Sequence, residues 1–119
     1  MKNILISQDL MLMSSVQSAV RAVGSEYATV SAVEQLAVHA ADNQPLRLLM
    51  DLGSIGFPVS DLSEHVSADV LARSIAFGPH VHEAKLEAAR SAGFGTVLSR
   101  GAFLSRVGQL LQEDPSKNA

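Results

Sequence analysis

Two carboxylates and one guanidinium stand out for where they fall in the chain. Asp9 closes the short apolar run Ile4-Leu5-Ile6, Asp51 closes Leu46-Arg47-Leu48-Leu49-Met50, and Arg100 follows Thr96-Val97-Leu98. Paired carboxylates can hold a hard cation such as Mg²⁺, which takes oxygen ligands and keeps several waters. A carboxylate can also attack phosphorus and form an acyl phosphate, with a nearby cation neutralising the transferring oxygens. Asp51 has the right type for the nucleophile, Asp9 and Asp51 for a weak metal site, and Arg100 for the charge partner. Each has a plainer reading. Asp9 precedes a helix and can serve as its N-cap, and Arg100 can be a solvated residue at a helix start. Asp51 is costly to desolvate at the end of an apolar strand unless something there engages it.

The elements that must position these residues alternate along the chain. Leu12, Val16, Ala19, Val20 and Val23 recur at helical spacing, with Gly24 placed to end that helix. Tyr27–Val30 reads as a second strand. Ser31 to Glu34 has capping-box spacing before a helical face of Val33, Leu36, Ala37, Ala40 and Ala41. Asp42-Asn43-Gln44-Pro45 is a turn, and Leu46–Met50 reads as a continuously apolar third strand. Gly53, Gly56 and Pro58 mark a loop, and Asp61–Val70 is expected to hold a polar helix with Leu62 and Val66 inward. Arg73–Phe77 is the fourth strand, closed by Gly78-Pro79. Val81, Ala84, Ala88 and Ala92 share helical spacing, Gly93 ends that helix, and Thr96–Leu98 is the fifth strand. Phe103, Leu104, Val107, Leu110 and Leu111 make the last helix.

Five strand–helix units in 119 residues predict one α/β domain over 1–114, with a frayed tail at 115–119. The expected architecture is a doubly wound five-stranded parallel sheet, flavodoxin-like, with helices on both faces because right-handed crossovers put them there. In such sheets the ligand crevice lies beyond the carboxyl ends of the strands. Asp9, Asp51, Gly78 and Arg100 all fall there.

Composition narrows the function. A hydrophobic fraction of 47% and a net charge of −3 describe a globular chain without the positive field of a phosphate-backbone binder, so no nucleic-acid partner is expected. Zero cysteines remove disulfides and thiol chemistry. No segment has the ~20 apolar residues of a membrane helix, and the short N-terminal run is no signal sequence, so a cytoplasmic location is expected. No phosphate-binding loop or nucleophile elbow is present, which counts against an enzyme. His80, His82 and Glu83 cluster, but an i,i+2 histidine pair without a third defined ligand reads as exposed polar residues. Met11 lies off the buried stripe of the first helix, which leaves it either available to a partner or, as is more common for methionine, filling an irregular part of the core.

With these positions in view, the whole chain resembles a response-regulator receiver domain, the phosphoacceptor module of two-component signalling. The resemblance rests on five β/α units, on Asp51 at the end of the third strand, and on Ala92-Gly93 before the fifth. It implies that Asp51 is the phosphoacceptor and that Asp9 is the metal-binding member of the acidic pair after the first strand, here Gln8-Asp9. It also implies that Arg100-Gly101 stands where the family has Lys-Pro. The family's Ser or Thr after the fourth strand is replaced by Gly78, and its Met-Pro after the phosphoacceptor is missing. Glycine supplies no hydroxyl, and a planar guanidinium differs in shape from a compact ammonium.

The resemblance therefore implies a degenerate, or pseudo-receiver, domain that acts by docking to a protein partner, a histidine kinase or a downstream signalling protein. The alternatives are a competent phosphoacceptor in a phosphorelay using Asp51, and a flavodoxin-like small-molecule-binding module. A homodimer is compatible with the face of the fourth helix, fifth strand and fifth helix, which carries Glu87, Arg90 and Arg106.

Overall fold

In the computed structural model, residues 1–36, 45–53 and 59–112 are described. The strands are β1 (Lys2–Ile6), β2 (Glu26–Val30), β3 (Leu46–Asp51), β4 (Ile75–Gly78) and β5 (Thr96–Ser99). The α-helices are α1 (Leu10–Ala22), α2 (Ala68–Ala72), α3 (Glu83–Ala92) and α4 (Arg100–Gln112), with 3₁₀ turns at Val33–Gln35 and Val59–Glu64. All five strands are parallel, in the order β2-β1-β3-β4-β5. The expected doubly wound sheet is therefore present. Its chain reversal falls between β1 and β3, so the carboxyl ends of these two central strands flank the switch point.

The period of two along each strand divides the interior into two half-cores. Ile4, Ile6, Leu48, Met50 and Ala76 face Leu71 of α2 and Leu86 and Ala89 of α3. Leu5, Leu49, Ile75 and Phe77 face the other way, against Leu12, Val16 and Val20 of α1 and Phe103, Leu110 and Leu111 of α4. The rings of Phe77 and Phe103 stack at 3.9 Å between centroids and 6° between planes, which fastens α4 to β4.

Local signals account for the element ends. Asp9 caps α1, accepting from the N–H groups of Met11 at 3.0 Å and Leu12 at 3.1 Å. Gly24 follows α1 with φ +71°, a conformation that favours glycine. At Gly95 a Cβ would lie 1.8 Å from the carbonyl oxygen of Ala72, so the entry to β5 crosses the end of α2 where only glycine fits.

The structure differs from the sequence reading at several elements. The back-bonding expected of Glu34 is made by Gln35, whose Oε1 accepts from the N–H groups of Ser31 and Ala32. The rest of the predicted second helix, from Ala37 to Ala41, lies outside the described residues, as do the turn through Gln44, the loop at 54–58 and the C-terminal tail. The single helix expected over Asp61–Val70 is divided into the 3₁₀ turn and α2, because Ser67 caps α2 through its hydroxyl and so starts a new helix.

In α3 the predicted stripe is rotated. Val81, Ala84 and Ala88 are exposed, and Leu86 and Ala89 point inward. Alanine spacing marks a helix face weakly, and the bulk of Leu86 decides which side is buried. β3 is also less apolar than its reading, since Arg47 is 3% exposed within it. Its Nε donates to Asn3 Oδ1 at 2.8 Å, and its two Nη groups donate to the carbonyls of Leu110 and Leu111 at 3.2 and 3.1 Å. A charged side chain is thereby accommodated in the core by capping the last turn of α4.

Candidate functional site

β1 and β3 are neighbours in register, with Ile6 beside Met50, so the residues that follow them converge at the carboxyl edge of the sheet. Asp51 is the last residue of β3 and is 1% exposed. Its Oδ2 accepts from the hydroxyl of Ser7 at 2.8 Å, and its Oδ1 accepts from the N–H of Gly53 at 3.1 Å. The Ser7 hydroxyl in turn accepts from the N–H of Asp9 at 3.1 Å, which ties the β1–α1 turn to the end of β3.

Asp9 is turned toward α1 and α4. While Oδ1 caps α1, Oδ2 receives Nη2 of Arg100 at 2.5 Å. The Arg100 guanidinium and the Leu12 N–H hold the Asp9 carboxyl below its ordinary value of 3.8. Arg100 opens α4 directly after β5, and its Nη1 also comes within 3.9 Å of Asp51 Oδ2. Tertiary structure thus brings together all three residues singled out in the sequence. Asp9 both caps α1 and pairs with Arg100.

Ser7 is the member that sequence reasoning missed. It sits between Ile6 and the Gln8-Asp9 pair and donates its hydroxyl directly to Asp51. A signal was present, since Ser7 immediately follows the apolar run and is the first polar residue at the strand end.

Gly78 occupies the end of β4, where a Cβ would lie 3.2 Å from Cβ of Leu52. The buried Leu52 therefore crowds the direction in which any side chain at 78 would start. A hydroxyl is absent there, and the space for one is tight.

A divalent cation, which the fold implies, fits this donor set poorly. Every carboxylate oxygen of Asp9 and Asp51 already accepts from a donor on the protein, and the guanidinium of Arg100 reaches both residues. Among the described residues no three His, Cys, Asp or Glu side chains form a group that could hold a metal ion. A depression of about 480 Å³ on α3 is lined by His80, Glu83, Ala84, Leu86, Glu87 and Arg90, without any member of the Asp51 cluster. Among the described residues no helix is long and apolar enough to cross a membrane.

No protein-family model and no curated protein sequence matches the chain. Solved structures do. A response-regulator receiver domain from Rhodospirillum rubrum matches with a TM-score of 0.71 at 10% identity, covering 94% of this chain and 92% of that one. The receiver domain of a sensor histidine kinase from Pseudomonas aeruginosa, with a magnesium ion coordinated in its active-site cleft, matches with a TM-score of 0.71 at 18% identity. The coverage there is 93% of each chain. An orphan response regulator of H. pylori matches with a TM-score of 0.65 at 13% identity, covering 93% of this chain and 96% of that one. With its parallel order β2-β1-β3-β4-β5 and these likenesses over nearly its whole length, the chain has the fold of the response-regulator receiver domains.

Proposed function

We propose that this chain is a receiver-like signal-transduction domain that works by docking to a protein partner, with phosphoryl transfer to Asp51 weak or lost. The observation that carries this reading is the Ser7–Asp51 hydrogen bond at 2.8 Å on a carboxylate that is 1% exposed. A carboxylate nucleophile needs an oxygen free to approach phosphorus, and here the one beside Arg100 is engaged by a hydrogen bond from the Ser7 hydroxyl. Gly78 supports the reading from the other side of the pocket. Without a hydroxyl at the end of β4, a phosphoryl group on Asp51 would find no side-chain donor at that position. Phosphorylation would then favour one conformation of the domain over another only slightly, since a modification shifts an equilibrium only by its differential interaction with the two states. What remains for signalling is the surface. Leu10 and Met11, at the start of α1, are 78% and 83% exposed, and Val81 after β4 is 71% exposed. The exposed Glu87–Arg90 pair on α3 suits a polar contact on the α3–β5–α4 face, including one with a second copy.

The test is incubation of the chain with acetyl phosphate, read by intact mass, beside beryllofluoride addition read by hydrogen exchange. The expected result is no added phosphoryl group and an unchanged exchange pattern. A single phosphoryl group that disappears in Asp51→Asn would replace this reading with a competent phosphorelay acceptor.

A further inference from the structure

Asp9 and Asp51 leave different strands, and one side chain reaches both. Arg100 Nη2 lies 2.5 Å from Asp9 Oδ2, and Nη1 lies 3.9 Å from Asp51 Oδ2. Apart from this guanidinium, the donors on the two carboxylates named above are neutral: the N–H groups of Met11, Leu12 and Gly53 and the hydroxyl of Ser7. A carboxylate as buried as Asp51 is tolerated when its charge is compensated nearby. A guanidinium is permanently protonated, planar and forked, so it can bridge two carboxylates that a point charge would meet one at a time.

We propose that Arg100 is a resident cation, holding the place a divalent ion would need between Asp9 and Asp51, so that the two carboxylates share one built-in counter-charge and the carboxyl edge is ordered without metal. Magnesium demands near-octahedral oxygen ligands and gives up its waters reluctantly. To bind here it would have to displace Arg100 from Asp9 and the Ser7 hydroxyl from Asp51. Removal of the guanidinium leaves two carboxylates around an uncompensated centre, and that centre is what a divalent cation would fill. Nothing in this inference depends on docking or on phosphorylation, so the acetyl phosphate experiment can fail without touching it.

Thermal unfolding of the full chain in EDTA and in millimolar magnesium, at matched ionic strength, tests it. The wild-type midpoint is expected to be the same in both. Arg100→Met should melt lower in EDTA and regain about 5 °C or more with magnesium. Arg100→Met combined with Asp51→Asn should lose that response, since one carboxylate of the pair is gone. Titration of the wild type with Mn²⁺, followed by the paramagnetic resonance of the free ion, should show no binding below about 1 mM. A wild-type midpoint that climbs with magnesium, or tight Mn²⁺ binding, overturns the proposal. So does an Arg100→Met chain that magnesium neither stabilises nor refolds.

Discussion

Asp9 shows how much one side chain can carry at a turn. One oxygen satisfies the first N–H groups of α1, and the other meets Arg100 across the β5–α4 junction. The guanidinium is the main cause of its lowered pKa. A carboxyl depressed in the folded state adds stability at pH values above its unfolded pKa and loses that contribution as pH falls through the folded value. The Asp9 contribution is therefore expected to be level from neutral pH down to about 4 and to vanish below that. Asp9→Asn keeps a capping oxygen but loses the charge. Urea unfolding across acid pH should show wild type and variant converging as the acid limb is descended. A stability difference that stayed constant from pH 7 to pH 2 would contradict the ion-pair account.

Among the elements, α4 is held at both ends by cations of different kinds. At its start Arg100 reaches over to Asp9, and at its end Arg47 of β3 donates to the carbonyls of Leu110 and Leu111. Between them Phe103 stacks on Phe77. Arg47 is buried in a central strand, so its loss removes the hydrogen bonds to Asn3, Leu110 and Leu111 and leaves Asn3 Oδ1 without this donor. Arg47→Ala is expected to cost about 3 kcal/mol, in the range for charged hydrogen bonds lost in an interior. Amide exchange should localise the effect, with the last turn of α4 opening faster while α1 keeps its protection. Uniform acceleration across both helices would show that Arg47 supports the sheet as a whole and not the helix end.

At the scale of the whole molecule, both half-cores are built on the same five strands. Leu48 and Met50 face α2 and α3, and Leu49 between them faces α1 and α4. Neither layer can lose its strands without exposing the other, and a chain of this size is expected to unfold in one step. Tyr27 is the single tyrosine, there is no tryptophan, and its ring packs on the α1–α4 side with its hydroxyl donating to the Met13 carbonyl. Its fluorescence reports one layer and far-ultraviolet dichroism reports both. Coincident denaturant midpoints are expected, and separated ones would show that the two layers unfold independently.

The one-dimensional pattern was enough for the parallel α/β layout, because alternating apolar runs and helical stripes encode which faces are buried, and burial is a local property of residue type and period. The strand ends followed from the same pattern, and with them Asp9, Asp51 and Arg100 as neighbours at one edge. What tertiary structure alone decided was direction and pairing. The burial of Arg47 beneath the end of α4 and the meeting of Ser7 with Asp51 depend on which atoms meet across 44 or more residues of chain, and the rotation of α3 onto Leu86 depends on how that helix packs on the sheet. Hydrogen bonds and ion pairs are decided by a few tenths of an ångström, and residue type and spacing do not contain distances.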